Sequence, residues 1–401
     1  MTKIHEKTMA WGERPQNGVN IILTHADMDG LVAAHLVKTY LQIAGEGAYI
    51  VISNLKVGVG DTDAMLNTAL KAMKMNISDL DQRDVIWILD RPCLTKDTIH
   101  QINNEVEINI CDHHETNVDG HNYVKEYFNH SHTYLETDIN HCGASLALDL
   151  VYWLSRHVNY DDYTTDRLIE MVNSYNNLVV TTNDWDTFRW KTLEKEDRKE
   201  LAKKIQAMDK VFGAELTWTY LNEAQIVGAN DVLSALTSKI TIAHEIFQAK
   251  FNENKIICKI MVEENMRTLT MQGRGVRICF MYGMEEYQSM LSDYIFTEFP
   301  IVDVVIWMCY GGTISIRVSD KSPVKANDLA KLIGESNGFS GGGHPKAAGG
   351  RVEDIIDIKS RLLEKVLVGL RNKFDYIPSD LYRVTGAKTK GVDKNVWYVY
   401  L

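Results

Sequence analysis

Short β-branched runs alternate with helically spaced segments through the first half of this chain, and three of those runs end in acids or imidazoles. Residues 19–24, 48–53, 85–89 and 107–111 read as strands. Helical spacing fills 31–43 and 64–75, and a short helix precedes the fourth strand. Strands interleaved with helices imply βαβ units and a mostly parallel sheet. Residues 123–128 and 133–136 also read as strand-like, and 143–156 and 165–178 as helices.

The remainder changes character twice. Residues 191–255 are rich in Lys, Glu, Ala and Leu and lack proline, and the spacing of Leu201, Ile205, Met208, Val211 and Phe212 predicts a helical connector. From 256 to about 375 the pattern returns to α/β. It predicts strands at 267–271, 276–281, 302–308 and 313–318, with helices at 285–296, 325–335 and 355–370. The expected architecture is therefore an α/β amino-terminal domain over 1–190, the connector over 191–255, a smaller α/β domain over 256–375 and a tail over 376–401, with a cleft between the two domains. The aromatic cluster Trp397, Tyr398 and Tyr400 in that tail is expected to pack onto the body.

Composition narrows the function. With 401 residues, 45% of them apolar, the chain can bury sizeable cores, which excludes wholesale disorder. A net charge of −11 argues against gripping long duplex nucleic acid, which demands many phosphate-neutralising cations. The six cysteines are scattered without a CxxC pair, as in reduced cytosolic proteins. Residues 1–16 mix charges with Trp11 and carry no secretory apolar run, and the longest apolar stretch, 301–310, is about half a membrane span. A cytoplasmic, membrane-free protein is expected.

The chemistry sits where the strands end. The first closes in His25-Ala26-Asp27-Met28-Asp29-Gly30, the third in Asp90, and the fourth in Asp112-His113-His114. In an open parallel sheet ligands bind outside the carboxyl ends of strands, so these groups converge on one crest. Clustered carboxylates repel one another unless cations neutralise them, and oxygen plus imidazole donors without thiolates suit manganese or a similar divalent ion. His25 and Asp27 would serve one ion and Asp29 with His113 another, with Asp90 as the bridge between them, the arrangement that activates water for phosphoryl transfer. A further acidic pair, Asp184 and Asp186, offers a last ligand, and the residues alone do not choose between them. In the smaller domain, Gly341-Gly342-Gly343-His344 reads as a backbone nest for an anion, and Arg317 as a guanidinium for phosphate.

Together HxDxDG, a strand-ending Asp, DHH, a later Asp and a distal GGGH resemble the DHH phosphoesterases with a DHH-associated carboxy-terminal domain. The resemblance spans about residues 19–370 and is nearest the bacterial oligoribonuclease (nanoRNase) branch, which the run Trp185-Asp-Thr-Phe-Arg-Trp190 also resembles. It implies one metal on His25, Asp27 and Asp90, and a second on Asp29, Asp90, His113 and, in preference to Asp184, Asp186. It further implies that Asp112 supports the site, that His114 faces the scissile phosphate, and that Arg317, His344 and the backbone of Gly341, Gly342 and Gly343 hold substrate. Two Mn2+ are the implied cofactors, with Mg2+ or Co2+ as substitutes. The implied reaction is hydrolysis of short oligonucleotides to 5′-mononucleotides, with a homodimer compatible. The alternatives are a cyclic dinucleotide or pAp-type phosphoesterase, and a non-catalytic nucleotide-binding regulator on the same fold.

Overall fold

The structure is a computed structural model that describes residues 5–7, 18–53, 60–114, 117–137, 140–226, 230–271, 273–283, 287–309, 313–336, 341–351, 366–367, 370 and 374. The chain divides into two compact units, Met1–Phe247 and Gln248–Leu401.

The first unit opens with β1 (His5–Lys7), β2 (Asn20–His25), α1 (Met28–Ile43), β3 (Ala48–Ser53) and α2 (Asp61–Met73). After a 3-10 turn at Ile77–Asp79 come β4 (Val85–Leu89), α3 (Lys96–Ile99), β5 (Glu107–Asp112), α4 (Val118–Tyr127) and β6 (Ser131–Leu135). Helices α5 (Gly143–His157) and α6 (Asp162–Asp186) follow, then a 3-10 turn at Arg189–Lys191. The helical middle of the chain is α7 (Glu196–Ile205), α8 (Ala207–Ile226) and α9 (Val232–Asn265). Gly213 interrupts α8 with φ 71° and ψ 168°, values outside the helical region.

The sheet order is β1-β3-β2-β4-β5-β6, with every pair parallel except β1 on β3. Such a sheet is covered on both faces, so its inner strands read as unbroken apolar runs. Ile21, Ile22 and Leu23 in β2 and Ile86, Ile88 and Leu89 in β4 are wholly buried. That burial explains why these strands are plain in the sequence. It also aligns the ends of β2, β4 and β5 on one edge, since Thr24 pairs with Leu89 and Leu89 with Cys111.

Two sequence expectations change in this unit. Residues 123–128, expected as a strand, lie mostly in α4, where His121 and Val124 are buried one turn apart and the helix face overrides the β-leaning Tyr and Val. The helix expected over 165–178 continues to Asp186, so the second acidic pair lies in the last turn of α6 rather than after the helix.

The second unit contains β7 (Met266–Met271), β8 (Arg274–Tyr282), α10 (Gln288–Glu298), β9 (Val304–Met308), β10 (Thr313–Val318), α11 (Ala326–Ser336), β11 (Gly341–Gly343) and β12 (Ala347–Arg351). Its sheet runs β11-β12-β10-β9-β8-β7 and is mixed, with β8 and β9 the parallel pair. Ile306, Ile314, Leu329 and Ile333 lie in its apolar core with Val366, Leu367, Leu370 and Phe374. Most of the helix expected at 355–370, and all of the 376–401 tail, lie outside the described residues. Among the described residues no helix is long and apolar enough to cross a membrane. All six cysteines are free thiols, and all but Cys93 are buried.

Candidate metal centre

The first acidic motif folds as a strand-to-helix junction. Asp27 caps α1: its Oδ1 accepts the Gly30 amide at 3.1 Å, while Oδ2 lies 2.8 Å from His25 Nδ1. Thr24 Oγ1 donates to the Gly30 carbonyl at 2.7 Å and tightens the turn. A Cβ at Gly30 would meet the His25 carbonyl oxygen at 2.5 Å, so only glycine fits. One short turn thus places His25, Asp27 and Asp29 on the crest.

Asp90 follows β4 in a left-handed conformation, φ 52°, unusual for a residue other than glycine. Its amide donates to the Cys111 carbonyl at 2.8 Å, so the strand pairing holds the turn. One carboxylate oxygen lies 3.9 Å from His25 Nδ1; the other lies 3.5 Å from His113 Nε2 and 3.8 Å from His114 Nδ1. His113 Nε2 is also 3.3 Å from Asp186 and 3.9 Å from Asp29. Donor atoms within 4.8 Å of one another form the groups His25–Asp27–Asp90, Asp29–His113–Asp186 and Asp90–His113–His114. Asp90 belongs to two of them, as does His113.

The two acids of α6 part company. Residues two apart on a helix face different directions. Asp184 is wholly buried and taken up by Arg198, which donates from Nη2 at 2.8 Å and more closely from Nε, with Arg189 Nε 3.8 Å away. Asp186 is the one that reaches His113. Asp112 lies beneath the site, fully buried. It accepts His114 Nδ1–H at 2.7 Å and a short bond from Asn117 Nδ2, with His121 Nε2 3.6 Å away. His114 is thereby turned so that Nε2 is its outward nitrogen.

Sequence reasoning missed part of this machinery. Asp29 is gripped by the start of α5: Gly143 N–H donates to Oδ2 at 2.8 Å and Ala144 N–H to Oδ1 at 2.7 Å. The first amides of a helix carry no internal partner and favour an anion. A Cβ at Gly143 would come within 2.7 Å of Asp90 Cβ and 3.1 Å of Asp29 Oδ2. The glycine opening a helix at 143 was a visible signal, but its partner lies 114 positions earlier. Arg91, wholly buried, donates to the Ser53 carbonyl at 3.3 Å, and the charges of Asp61, Asp90, Asp27 and Asp112 act on it.

The electrostatics fit a cation site. Burial, reinforced by the charges of Asp29 and Asp27, pushes the Asp90 carboxyl well above the usual range. Burial, opposed by His113 and aided by Asp29 and Asp27, raises Asp186 to about 6. Burial opposes charge on His114 too, but the Asp112 hydrogen bond and charge lift it to about 9. At Asp27 the effect of burial is outweighed by the charge and hydrogen bond of His25, aided by Lys210 and the Gly30 amide, and its value drops. Carboxylates packed this closely cannot all ionise without positive charge among them. Cys142 sits by Asp29, but burial holds its thiol well above its ordinary value, so the donors are oxygen and imidazole.

A pH dependence follows. A carboxyl with its native value raised binds more protons folded than unfolded, so stability falls as pH rises through that window, here from about 4 to about 6 for Asp186. A histidine raised to about 9 loses its contribution as pH climbs from about 6.5 to that value, which has the same sign. The lowered Asp27 and Asp112 act in the opposite sense below about pH 4. In EDTA the melting temperature should fall steadily between pH 4.5 and 8, and added Mn2+ should restore it at the upper end. A flat profile in EDTA would contradict the crowding described.

The residues expected to hold substrate lie in the second unit. The glycine run is an edge strand rather than an open loop: Gly341 to Gly343 pair with Gly350 to Ala348, and a tight turn presents exposed His344. A Cβ at Gly341 would meet the Ala330 carbonyl oxygen at 2.1 Å, a packing reason for that glycine. Arg317 on β10 pairs with Ala347, and its guanidinium donates to Ser315 Oγ and Ser289 Oγ, each at 3.1 Å.

No protein-family model matches the chain, and no curated protein matches it. Solved structures do. The DHH domain of a member of the S1p family of ribosomal proteins is similar with a TM-score of 0.55 at 16% identity, over 89% of this chain and 88% of that one. Exonuclease RecJ bound to manganese is similar with a TM-score of 0.54 at 14% identity, over 92% of each chain. The fold is that of the DHH-domain proteins. RecJ from Thermus thermophilus in complex with Mn2+ has a TM-score of 0.51 at 14% identity, with 89% of this chain covering 57% of that one. On this DHH fold, the crest of β2, β4 and β5 carries every acid and imidazole that the amino-terminal motifs contain.

Proposed function

We propose that the chain is a metal-dependent phosphodiesterase of the DHH family, nearest its nanoRNase branch, that hydrolyses short oligonucleotides to 5′-mononucleotides. The observation carrying this reading is Asp90, buried at the junction of two donor groups, with one oxygen toward His25 and the other toward His113. Manganese in the RecJ structures adds support for the choice of ion.

His25, Asp27 and Asp90 would hold one divalent ion, and Asp29, Asp90, His113 and Asp186 the other. Such a pair supplies a water acidified near neutral pH and positive charge beside the phosphoryl oxygens. The chain's own groups do the rest. Helix α5 fixes Asp29 through Gly143 and Ala144. Asp112 orients His114 and aims Nε2–H outward, where it stabilises a negative phosphoryl oxygen. Arg317, Gly341 to Gly343 and His344 are assigned to holding substrate. A net charge of −11 suits a substrate of a few nucleotides better than a long polymer.

His114→Gln should keep bound metal and lower kcat by roughly 100-fold, the scale of losing one oriented donor. Metal analysis alongside steady-state kinetics separates the two effects. The reading as a whole is tested with a labelled dinucleotide, a ten-residue oligomer, cyclic di-AMP, pAp and pyrophosphate, each with Mn2+, Mg2+ or Co2+. Preferred cleavage of the dinucleotide is expected. Cleavage of pyrophosphate alone would overturn the reading.

A further inference from the structure

Among the described residues, three other than glycine have positive φ: Lys74, Asp90 and Phe188. Lys74 caps the carboxyl end of α2, a common place for that conformation. Asp90 is the centre of the site. Phe188, at φ 60° and ψ 13°, occupies the position just past the α6 cap Thr187, where glycine is the usual residue. A bulky ring there is strained, and strain of this kind collects at functional sites. Burial does not compensate it, because Phe188 remains 46% exposed.

The surroundings of that ring are aromatic and basic. Lys191 Nζ stands 5.3 Å from the Phe188 ring centroid and 5.4 Å from that of Trp190. Trp190 stacks on Trp185 with centroids 5.5 Å apart and planes 12° from parallel. The nearby acid Asp184 is buried and paired with Arg198. Phe188 follows Asp186 by two residues, so their Cα atoms are at most about 7.6 Å apart. Aromatic faces interleaved with cations are how proteins hold unpaired nucleotides: bases stack and cations meet phosphates.

We propose that Phe188 is a nucleobase platform beside the metal centre, with Lys191 serving the adjoining phosphate. This rests on the phosphodiesterase reading and deepens it: the enzyme reads the flat face of a base as well as the phosphodiester. The substrate class is single-stranded nucleotides with an unpaired base, whatever its identity, because every base has a π-face.

Phe188→Gly tests it, since glycine suits the backbone there while removing the ring. The Mn2+-loaded variant should melt at or above the wild-type temperature. It should bind a 5′-phosphorylated 2-aminopurine dinucleotide with a phosphorothioate linkage roughly 5- to 150-fold more weakly, the range set by loss of one stacked base. For the ordinary dinucleotide KM should rise by a similar factor with kcat nearly retained, and Phe188→Trp should restore both. A dinucleotide lacking the base should be turned over alike by wild type and Phe188→Gly. Unchanged Kd and KM in Phe188→Gly would overturn the platform while leaving the phosphodiesterase reading intact. Failure of the wild type to bind or cleave any nucleotide would overturn both.

Discussion

Asp90→Ala leaves the protein folded and turnover falls by about a thousandfold or more, since losing the shared ligand forfeits several kcal/mol of transition-state stabilisation at about 1.4 kcal/mol per factor of ten. The reason is positional. Asp90 lies 3.9 Å from His25 and 3.5 Å from His113, through different oxygens, so truncation disables both donor groups at once. Stability should not suffer, because removing a carboxyl that crowds Asp29 and Asp27 relieves repulsion in the metal-free protein. The expected signature is therefore split: a melting temperature in EDTA equal to or above wild type, metal content reduced, and hydrolysis lost. Near-normal turnover in Asp90→Ala would remove Asp90 from the centre of the chemistry.

The second large effect falls on a residue with no functional side chain. Gly143→Ala would place a methyl 2.7 Å from Asp90 Cβ and 3.1 Å from Asp29 Oδ2, and neither neighbour is the free end of a long chain. Asp90 or the start of α5 must move, and with it the two amides that hold Asp29 at 2.7 and 2.8 Å. Groups that orient a metal ligand are worth roughly 10- to 100-fold in metal affinity or activity. Displacing the ligand as well should put Gly143→Ala at the upper end of that range. Titration with Mn2+ followed by thermal shift reads this directly. The neighbouring Ala144→Gly, which keeps the amide, is the control expected to retain affinity.

How much of this was legible follows from range. Strands β2, β4 and β5 are buried on both faces, so their β-branched runs announced themselves, and the acids at their ends came with them. Helix α4 was not legible, because Tyr123, Val124 and Tyr127 favour strands locally and only their packing decides otherwise. The resemblance favoured Asp186 over Asp184, but the physical reason lies in the length of α6 and the position of Arg198, fourteen residues beyond Asp184, which spacing does not reveal. The role of Gly143 depends on a contact with Asp29, and no local pattern reports a contact so distant in the chain. The glycine run at 341–343 was plain as a motif, but its pairing with β12 and its approach to Ala330 belong to the folded unit alone.

The left-handed backbone at Asp90 and Phe188 has an evolutionary corollary. Holding each residue there costs of order 1–3 kcal/mol, and glycine at either place would release it. Selection for heat resistance alone would therefore drift toward sequences that lack a metal ligand or hold substrate weakly, so laboratory evolution of this protein needs a concurrent screen for turnover at low substrate concentration.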